Sequence, residues 1–412
     1  MCYHLGMAFS DTKLKNSILK DKYNSIIFKK GEGRELYLVG GYVRDILRGV
    51  ISSDRDYVVS GNISSFVNKI RGIIGGSIVK FKKEDMIRIA LRDGITFDFS
   101  RPMGTFEEDL SKRDFTINAI AWSPERGLID LYNGLEDIKK KKIRSISKKN
   151  LISDPLRLLR TYRFAAELNG SIEKGTREAI KILHNNIEEV SSERITLELF
   201  NLLNLKHSSK YLKMALSDGL LTSILLIPYT TLERNIKAIS ILEKAPRNRL
   251  PAKIKVLLNK IYSQNLTYKG LLCMELLLQN GFSAATLKPN ITISNSIKKR
   301  LELSQKGIKE LRKSKDKLKD KLFAIFHSSK EAAIDILIIS ERLDLLKDYS
   351  RFKKIWKCGY LSSNEIIQIT NITNSPRLGE IILEFKKAQF EGRVRSKVQA
   401  VKFIKNLLAN LI

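Results

Sequence analysis

The sequence is poor in cysteine and histidine. It has only three cysteines, Cys2, Cys273 and Cys358, and four histidines. The cysteines form no C-x-x-C pair and the histidines show no metal-ligand spacing, so neither a disulfide framework nor a zinc site is indicated. We therefore expect a protein of a reducing compartment, the cytoplasm.

Long apolar runs are also missing. No stretch approaches the ~18 uninterrupted apolar residues of a transmembrane helix, and the opening MCYHLGMAFSDTKLKNSILK lacks the apolar core and cleavage site of a secretory signal. Apolar residues nevertheless make up 43% of the chain, which is ordinary for a globular protein. We expect sizeable buried cores and no membrane partner.

Acidic residues are scarce relative to basic ones. The chain has 44 Asp and Glu against 74 Lys and Arg, a formal net charge of +30. Such an excess attracts polyanions, with nucleic acid the first candidate and an anionic membrane surface the second. A proteome biased toward lysine would produce the same excess without any such partner. The charge therefore favours a polyanion partner without establishing one.

The 412 residues divide into two differently patterned parts. Short segments rich in β-branched or aromatic residues predict strands within 34–145: ELYLV, RDYVV, GSIVKF, MIRIAL and ITFDF. From about 146 onward helical spacing prevails, as in PLRLLRTYRFAAEL, ERITLELFNLLN, IKVLLNKIY and AAIDILIISERL. The sequence predicts an α/β head followed by an all-helical remainder. Within the remainder, the lysine-rich stretch 297–322 is either a seam or one exposed amphipathic helix.

A double glycine follows the first predicted strand. ELYLV leads into Gly40 and Gly41, and YVRDILRG then has helical spacing. Glycines at a strand-to-helix turn let backbone N–H groups approach a phosphate, and the helix N-terminus adds a favourable dipole. Arg44, one turn into the helix, can reach the same anion. The alternative is an ordinary tight turn, which is the more common use of such a pair.

Three aspartates stand on the predicted strands. Asp54 and Asp56 are two residues apart, so both carboxylates share one face while Arg55 points to the other. Two adjacent carboxylates repel, and a divalent metal held by both resolves the repulsion. Asp98 lies between two phenylalanines, where an isolated charge is costly to bury, and is a candidate third ligand. Each aspartate alone can also be a solvated strand end, but together with a phosphate cradle they describe a two-metal nucleotidyl-transfer centre.

The pattern GG-x-VRD-x-L-x-G followed by D-x-D resembles motif A of the class II tRNA nucleotidyltransferase and bacterial poly(A) polymerase family. Similar counterparts of the other motifs follow in order: EEDLSKRDFTINAIA (107–121, motif B), IDLYNGLEDI (129–138, motif C), SDPLRLLRTYRFAAEL (153–168, motif D) and SSERITLEL (191–199, motif E). The stretch 375–405 is similar to the C-terminal helices of bacterial members. The resemblance implies a polymerase-beta-like nucleotidyltransferase head (1–145) followed by a helical neck (146–205), body (206–296) and tail (297–412).

The resemblance also implies roles in the head. Asp54 and Asp56 would bind catalytic Mg²⁺, with Asp98 a less secure third catalytic carboxylate. The triphosphate would be held by Gly40, Gly41 and Arg44.

Ribose recognition would fall to Arg113 and Asp114, because a 2′-hydroxyl both donates and accepts a hydrogen bond. The alternative for these two residues is a salt-bridged pair in a turn.

Motif D is implied to select the base. Asp154 would accept from an exocyclic amine and Arg157 would donate to the neighbouring ring nitrogen, an edge that cytosine and adenine share and that uracil and guanine lack. The alternative is that Asp154 only caps the helix that follows Pro155. Arg160 and Arg163 continue the basic face and are candidates to follow the incoming RNA end, or are solvated charges.

The remaining motifs are implied to be structural or to bind tRNA. Motif C would be a hinge between head and neck, and Glu193 and Arg194 of motif E would brace the neck helix against motif D. The motif C residues concerned are Asp130, Gly134 and Asp137. In the tail, the candidates to follow tRNA phosphates are Lys298, Lys299, Lys309 and Lys313.

The segment FSRPMGTFEEDL (99–110) is shorter than in relatives that add the whole CCA end, which carry a longer insert before motif B. The family links that insert to the switch from adding C to adding A. The sequence therefore predicts a cytoplasmic, Mg²⁺-dependent enzyme that adds CCA, CC or only the final A to tRNA from CTP and ATP. The alternatives are a bacterial poly(A) polymerase and a non-catalytic RNA-binding protein; the oligomeric state is left open.

Overall fold

A computed structural model describes residues 11–81, 85–245, 250–263, 265–280, 290–314, 318–373 and 375–409. The helices are α1 (Asp11–Lys20), α2 (Lys22–Lys30), α3 (Gly41–Leu47), α4 (Ile63–Ile74), α5 (Phe106–Ser111), α6 (Gly134–Lys139), α7 (Lys148–Ser153), α8 (Leu156–Leu168), α9 (Lys174–Leu183), α10 (Ser192–Asn204), α11 (Ser208–Ser217), α12 (Leu220–Leu225), α13 (Tyr229–Lys244), α14 (Ala252–Asn259), α15 (Tyr268–Leu277), α16 (Asn295–Lys313), α17 (Leu318–Ser329), α18 (Ala333–Ile339), α19 (Leu346–Lys357), α20 (Ser363–Thr370), α21 (Pro376–Phe390) and α22 (Lys397–Ala409). Across these described ranges, none of the helices is long and apolar enough to cross a bilayer.

The described residues form two compact units. The first unit consists of the residues up to 243 together with 261–267 and 290–292. The second unit consists of 244–260, 268–280 and the residues from 293 onward. The finer division into head, neck, body and tail stays a prediction.

A seven-stranded mixed sheet organises the first unit. Its strands are β1 (Leu36–Val39), β2 (Asp54–Val59), β3 (Ser77–Phe81), β4 (Met86–Ala90), β5 (Thr96–Ser100), β6 (Ile120–Ser123) and β7 (Gly127–Asp130). They lie in the order β3-β4-β5-β2-β1-β6-β7, and β2 and β5 run parallel while the other neighbours are antiparallel. The parallel pair places Asp56 opposite Asp98, and the antiparallel pair of β1 and β2 places Val39 opposite Asp56. The sheet thus brings the end of β1 to the predicted carboxylates.

Apolar side chains cover the two faces of this sheet. On one face Tyr37 stacks on Phe106 of α5, with ring centroids 3.7 Å apart. Elsewhere Phe28 of α2 packs edge-on against Trp122 at 5.1 Å, and Trp122 is 1% exposed. Burying such large side chains contributes about 1.5–3 kcal/mol each. The strands that carry the candidate site are therefore held by packing on both sides.

Five strands were predicted and all five form, whereas β6 and β7 were not predicted. The helical remainder also forms, although short strands interrupt it: β8 (Lys142–Ile143) pairs with β9 (Ser171–Ile172), and β10 (Ile261–Ser263) with β11 (Leu266–Thr267). The prediction of a helix throughout IKVLLNKIY was wrong at its end, because α14 stops at Asn259 and Ile261 begins β10. The lysine-rich stretch 297–322 lies mostly in α16, and α17 begins at Leu318.

Candidate active site

The turn between β1 and α3 is built on Gly40. Its φ of 72° and ψ of −131° lie in a region that only glycine enters freely. A Cβ at this position would stand 3.0 Å from Arg113 Nη1 and 3.5 Å from Asp56 Oδ2. Gly41 begins α3, and a Cβ there would meet only Arg44 Nη2, at 3.7 Å. The turn is therefore tight, and its backbone lies directly beside Asp56, one of the two predicted metal carboxylates.

Asp54 and Asp56 occupy the start of β2 on one face, as predicted. Arg55 points to the opposite face, where it is buried and donates to Asp21 Oδ2 at 2.6 Å. Asp54 is exposed and accepts a hydrogen bond from Thr96 Oγ1 at 2.6 Å, while Asp56 is half-buried. One carboxylate thus reaches solvent and the other lies deeper in the site.

Burial raises the pKa of Asp56 from its usual 3.8 to about 6. This net value also includes the effect of Arg113, which lowers the pKa, and of the neighbouring carboxylates of Asp98 and Asp54, which raise it. Mutual repulsion of this kind is what a bound divalent cation relieves. Mg²⁺ commonly uses one or two protein carboxylates and takes other ligands from substrate phosphates and water. Asp54 and Asp56 therefore fit a divalent cation, although no group of three potential metal ligands lies preassembled among the residues that the structure describes.

Asp98 is paired with an arginine that the sequence analysis did not consider. Arg88 lies opposite Asp98 in the register of β4 and β5. Its Nε and Nη2 atoms donate to the two Asp98 oxygens, each at 2.6 Å. A bidentate arginine neutralises a carboxylate and occupies both of its oxygens. Asp98 would have to exchange this partner to bind a metal, and its role as third catalytic carboxylate stays a prediction.

Arg44 is buried beneath the turn rather than extended into solvent. Its guanidinium donates to Asn118 Oδ1 at 2.6 Å and to both oxygens of Asp45, at 3.0 and 3.1 Å. Glu167 of α8 lies 3.5 Å from Arg44 Nη2 and 2.8 Å from Arg48 Nη1. Arg44 is thus held under Gly41 with its charge compensated by Asp45 and Glu167, and its contact with a triphosphate stays a prediction.

Arg113 and Asp114 do not form the salt bridge that was the alternative to ribose recognition. Arg113 Nη2 pairs with Asp109 Oδ2 at 3.3 Å. Asp114 is buried and accepts two bonds from Arg160, at 2.7 and 3.0 Å, and one from Asn118 at 2.9 Å. Although burial opposes it, these partners hold the pKa of Asp114 below its usual value. The ribose role of both residues stays a prediction.

Asp154 does not cap α8, because the side chain makes no capping hydrogen bond to that helix. Its two oxygens instead accept from Arg194 Nη2, each at 3.1 Å. Arg157 Nε lies 4.0 Å from Asp154 Oδ2, and Arg157 Nη1 donates to the Asn150 carbonyl at 3.1 Å. Arg194 therefore braces α10 against motif D as predicted, and Asp154 and Arg157 lie side by side on the same face.

Arg160 and Arg163 are not solvated charges. Arg160 binds Asp114, as described above, and Arg163 pairs with Glu198 and, at 3.1 Å, with Glu167. Both guanidinium groups also lie over the Phe164 ring, with centroid distances of 5.2 and 3.8 Å. The predicted contact of these arginines with RNA remains open, since each already has protein partners.

Motif C forms local, well-bonded structure. Asp130 accepts from the backbone N–H groups of Gly134 and Leu135 at 2.7 and 2.9 Å and so begins α6. Asp137 is fully buried and binds Thr116 Oγ1 at 2.7 Å and Arg144 Nη2 at 2.8 Å. These contacts support a joint between the sheet and the following helices; motion about it stays a prediction.

The short segment before motif B is held by hydrogen bonds. Lys112 Nζ donates to the Met103 carbonyl at 2.6 Å, and the Met103 N–H donates to Asp109 Oδ1 at 3.3 Å. Thr105 and Glu108 form a reciprocal cap that begins α5. The segment therefore makes a close link between β5 and α5.

Arg88, Glu167 and Glu198 pair with candidate site residues but were not predicted from the sequence. Arg88 alternates with two buried isoleucines in β4, and a pairing of β4 with β5 would have placed it opposite Asp98. Glu167 is four residues from Arg163, which is helical contact spacing. For Glu198 the sequence contained no such signal. The predicted tail lysines Lys298, Lys299, Lys309 and Lys313 are all exposed on α16.

Two family models match this chain. Residues 36–144 match the Poly A polymerase head domain, and residues 171–232 match the probable RNA and SrmB-binding site of polymerase A. Among curated proteins, a CC-adding tRNA nucleotidyltransferase of Synechocystis sp. is 38% identical over 192 residues, covering 45% of each chain. A CCA-adding enzyme of Leuconostoc mesenteroides is 36% identical over 200 residues, covering 45% of this chain and 50% of the relative. The chain thus matches about half the length of these relatives.

Solved structures match over nearly the whole chain. A Thermotoga maritima CCA-adding enzyme complexed with tRNA superposes with a TM-score of 0.76 at 20% identity, covering 98% of this chain and 99% of the other. A CCA-adding enzyme in complex with CTP gives a TM-score of 0.77 at 20% identity, covering 98% of both chains. This likeness confirms the predicted fold, a nucleotidyltransferase head followed by helices.

Proposed function

Because this chain belongs to the family of tRNA nucleotidyltransferases and poly(A) polymerases, we propose that it is an enzyme that builds the 3′-terminal CCA of tRNA. It would add some or all of these nucleotides from CTP and ATP, without a nucleic-acid template and with release of pyrophosphate. With tRNA as the substrate, we place the protein in the cytoplasm.

The observation that carries the proposal is the convergence at Gly40. The backbone of a glycine-only turn, the Asp56 carboxylate and the Arg113 guanidinium meet within 3.0–3.5 Å of a Cβ added at Gly40. A nucleoside triphosphate needs backbone N–H donors and positive charge for its phosphates, and carboxylates that hold a divalent cation. The Arg113 charge and the Asp56 carboxylate are present in this place. The Gly40 N–H already donates to the Ile120 carbonyl at 3.0 Å, so the phosphate donors would be the N–H groups at the start of α3.

The reaction would be an attack of the terminal ribose 3′-hydroxyl on the α-phosphate. A bond forms between the hydroxyl oxygen and the α-phosphorus, the bond to the β-phosphate oxygen breaks, and the hydroxyl proton is lost. Asp54 and Asp56 are the residues that would hold Mg²⁺, which when bound favours loss of that proton and neutralises phosphate charge. Asp54 is exposed to solvent, and Arg44 is held beneath the turn by Asp45, Asn118 and Glu167.

Base selection would come from Asp154 and Arg157. Arg194 holds both Asp154 oxygens at 3.1 Å, and the Asn150 carbonyl accepts from Arg157 at 3.1 Å. Each side chain is therefore oriented by a second protein group. An acceptor next to a donor complements the edge shared by cytosine and adenine and opposes the edges of uracil and guanine.

Incorporation into tRNA tests this function. The purified protein is incubated with tRNAs that end in the discriminator base, in C or in CC, each with labelled CTP or ATP. Addition to one or more of them is expected, and the pattern distinguishes CCA, CC and A addition. Asp54→Ala should abolish every product. No incorporation by the wild type would contradict the proposal, and long A tracts on unrelated RNA would favour a poly(A) polymerase.

A further inference from the structure

A large cavity lies wholly within the second unit, between α14 and α19. Its volume is about 1380 Å³, and its walls are completed by residues of α15, α16, α17, α18 and the turn between α17 and α18. Pockets for single small ligands hold about 300–1,000 Å³. This α14–α19 cavity therefore has room for more than one nucleotide-sized group.

Aromatic side chains form one wall of the α14–α19 cavity. Trp356 is 41% exposed and packs on Phe352 and His327, with ring centroids 5.6 and 4.9 Å apart. Tyr349 lies on the same helix and packs edge-on against Phe326 at 5.4 Å. Burial and the neighbouring Lys330 lower the pKa of His327, so its ring is neutral at pH 7. Lys386 Nζ lies 4.5 Å from the centroid of the Trp356 ring, and Lys353 Nζ lies 5.9 Å from that of Tyr349. The wall therefore offers aromatic ring surface with ammonium groups beside it.

The rest of the lining combines apolar side chains, such as Ile254, Leu257 and Ile334, with basic ones. Five lysines line it, Lys253, Lys260, Lys330, Lys353 and Lys357, together with the buried Arg300. Arg300 donates to Asp335, its Nε lying 2.7 Å from Oδ2. Among the lining residues the only carboxylate is Glu331, whose side chain is 92% exposed. The charge of this surface thus selects an anionic ligand.

We propose that the α14–α19 cavity binds unpaired nucleotides of an RNA. Bases would stack on Trp356 and Tyr349, and backbone phosphates would lie beside the rim lysines. Rings next to a cationic groove are the features by which proteins bind single strands, whereas a double helix offers no exposed base faces. The choice of RNA over other polyanions rests on the proposed function.

The tryptophans allow a direct test. The chain has two of them, and Trp122 is 1% exposed while Trp356 is 41% exposed. The full chain carrying Asp54→Ala, which prevents turnover, is titrated with a single-stranded RNA of about 12 nucleotides, a length that such surfaces bind. Tryptophan emission should fall on binding, and blunt duplex RNA, free CTP and polyglutamate should leave it unchanged. Unchanged emission while the RNA is bound, or equal quenching by polyglutamate, would overturn the proposal.

Variants separate stacking from charge. Trp356→Ala should weaken the Kd for labelled single-stranded RNA about 5- to 100-fold, and Trp356→Phe, which keeps a ring, should retain most of the affinity. Removing Lys353 and Lys357 together as glutamines should reduce the slope of log K against log salt by about 1.4. The same change at Lys402 and Lys405, exposed on α22, is the matched control and should leave the slope unchanged. Equal effects of the two pairs, or full affinity of Trp356→Ala, would refute the site.

Glu331→Gln tests the cavity through an expected increase in RNA affinity, which a misfolded variant would not show. Loss of the single lining carboxylate should tighten RNA binding by up to about fivefold, and unchanged or weaker binding counts against the proposal. Failure of the proposed function is a separate outcome. If wild-type protein adds no nucleotide to tRNA but Trp356 is still quenched by single-stranded RNA, the cavity assignment stands and the catalytic proposal falls.

Discussion

Replacing Gly40 by alanine tests whether the turn after β1 is built for a substrate or only for folding. The substitution adds one methyl group at a φ of 72° and ψ of −131°. The new Cβ would also stand 3.0 Å from Arg113 Nη1 and 3.5 Å from Asp56 Oδ2. Backbone strain and crowding of two predicted site residues therefore arise from the same methyl group.

The expected cost is a loss of about 1–3 kcal/mol in the free energy of unfolding, because a non-glycine residue is held in a glycine-only region of backbone conformation. The 3.0 Å contact adds little to this, since the guanidinium is the far end of a flexible side chain and can move. That movement carries Arg113 away from Asp56, however. The rate of nucleotide addition should therefore fall further than the loss of stability accounts for.

Two other glycines provide matched controls. Gly72 lies inside α4 with nothing within 4 Å of an added Cβ, so Gly72→Ala should stabilise the protein by about 0.5–1 kcal/mol and leave activity unchanged. A Cβ added at Gly41 would meet only Arg44 Nη2, at 3.7 Å, so Gly41→Ala should leave the free energy of unfolding nearly unchanged. If the Gly41 backbone holds phosphate, this variant should still raise the KM for the nucleotide.

The assay combines urea unfolding with steady-state nucleotide addition to tRNA for the three alanine variants. Wild-type stability in Gly40→Ala would refute the strain argument. Wild-type kcat and KM in both Gly40→Ala and Gly41→Ala would refute the phosphate cradle and leave the turn a folding device.

Three further predictions concern other contacts of the site. Arg157→Ala should reduce discrimination against UTP and GTP by about 1–3 kcal/mol in relative kcat/KM. As a control, Arg194→Gln removes a half-exposed partner of Asp154 and should change this discrimination by less than about 1 kcal/mol. If Arg157→Ala still rejects UTP and GTP as the wild type does, the base-recognition role is wrong. Asp56→Asn should stabilise the metal-free protein by up to about 3 kcal/mol at pH 8. The reason is that a carboxyl with a raised pKa makes the folded protein less stable as the pH rises through about 6. In urea titrations with chelator this gain should vanish by pH 4, and a pH-independent gain would contradict the assignment. Glu167→Gln should destabilise the protein by about 1–3 kcal/mol at neutral pH. Burial opposes ionisation of Glu167, but its arginine neighbours hold the pKa below the usual 4.5, so that loss should fade as the pH falls below that value; a loss that persists at low pH would refute the ion-pair explanation.

Local patterns predicted the elements that carry the candidate site. Short segments rich in β-branched or aromatic residues predicted β1, β2 and β5, and helical spacing predicted α3 and α8, because each of these signals lies within about 14 consecutive residues. The face shared by Asp54 and Asp56 followed from the two-residue repeat of a strand alone. The same reasoning correctly placed Arg55 on the opposite face.

Partners distant in sequence could not be predicted in this way. Asp114 and Arg160 are 46 residues apart and Arg163 and Glu198 are 35 apart, so their pairing depends on how α8 packs against the sheet and α10. Asp98 was expected to need a cation, and the structure supplies Arg88 across a strand pair whose register one chain alone does not specify. Asp154 met the local rule for a cap, but a tertiary contact with Arg194 replaced the capping bond.

The link between β5 and α5 also determines where the chain can grow. Met103 at its tip is 65% exposed, and an insertion beside it would cost the two hydrogen bonds of Met103 but would leave the cap formed by Thr105 and Glu108 and the strand pairs intact. Loop closure becomes harder only slowly with length, by about 0.6 kcal/mol for each doubling. This tip is therefore a position where a longer segment can be inserted, and engineered lengthening there can test how nucleotide choice depends on loop length without rebuilding the sheet.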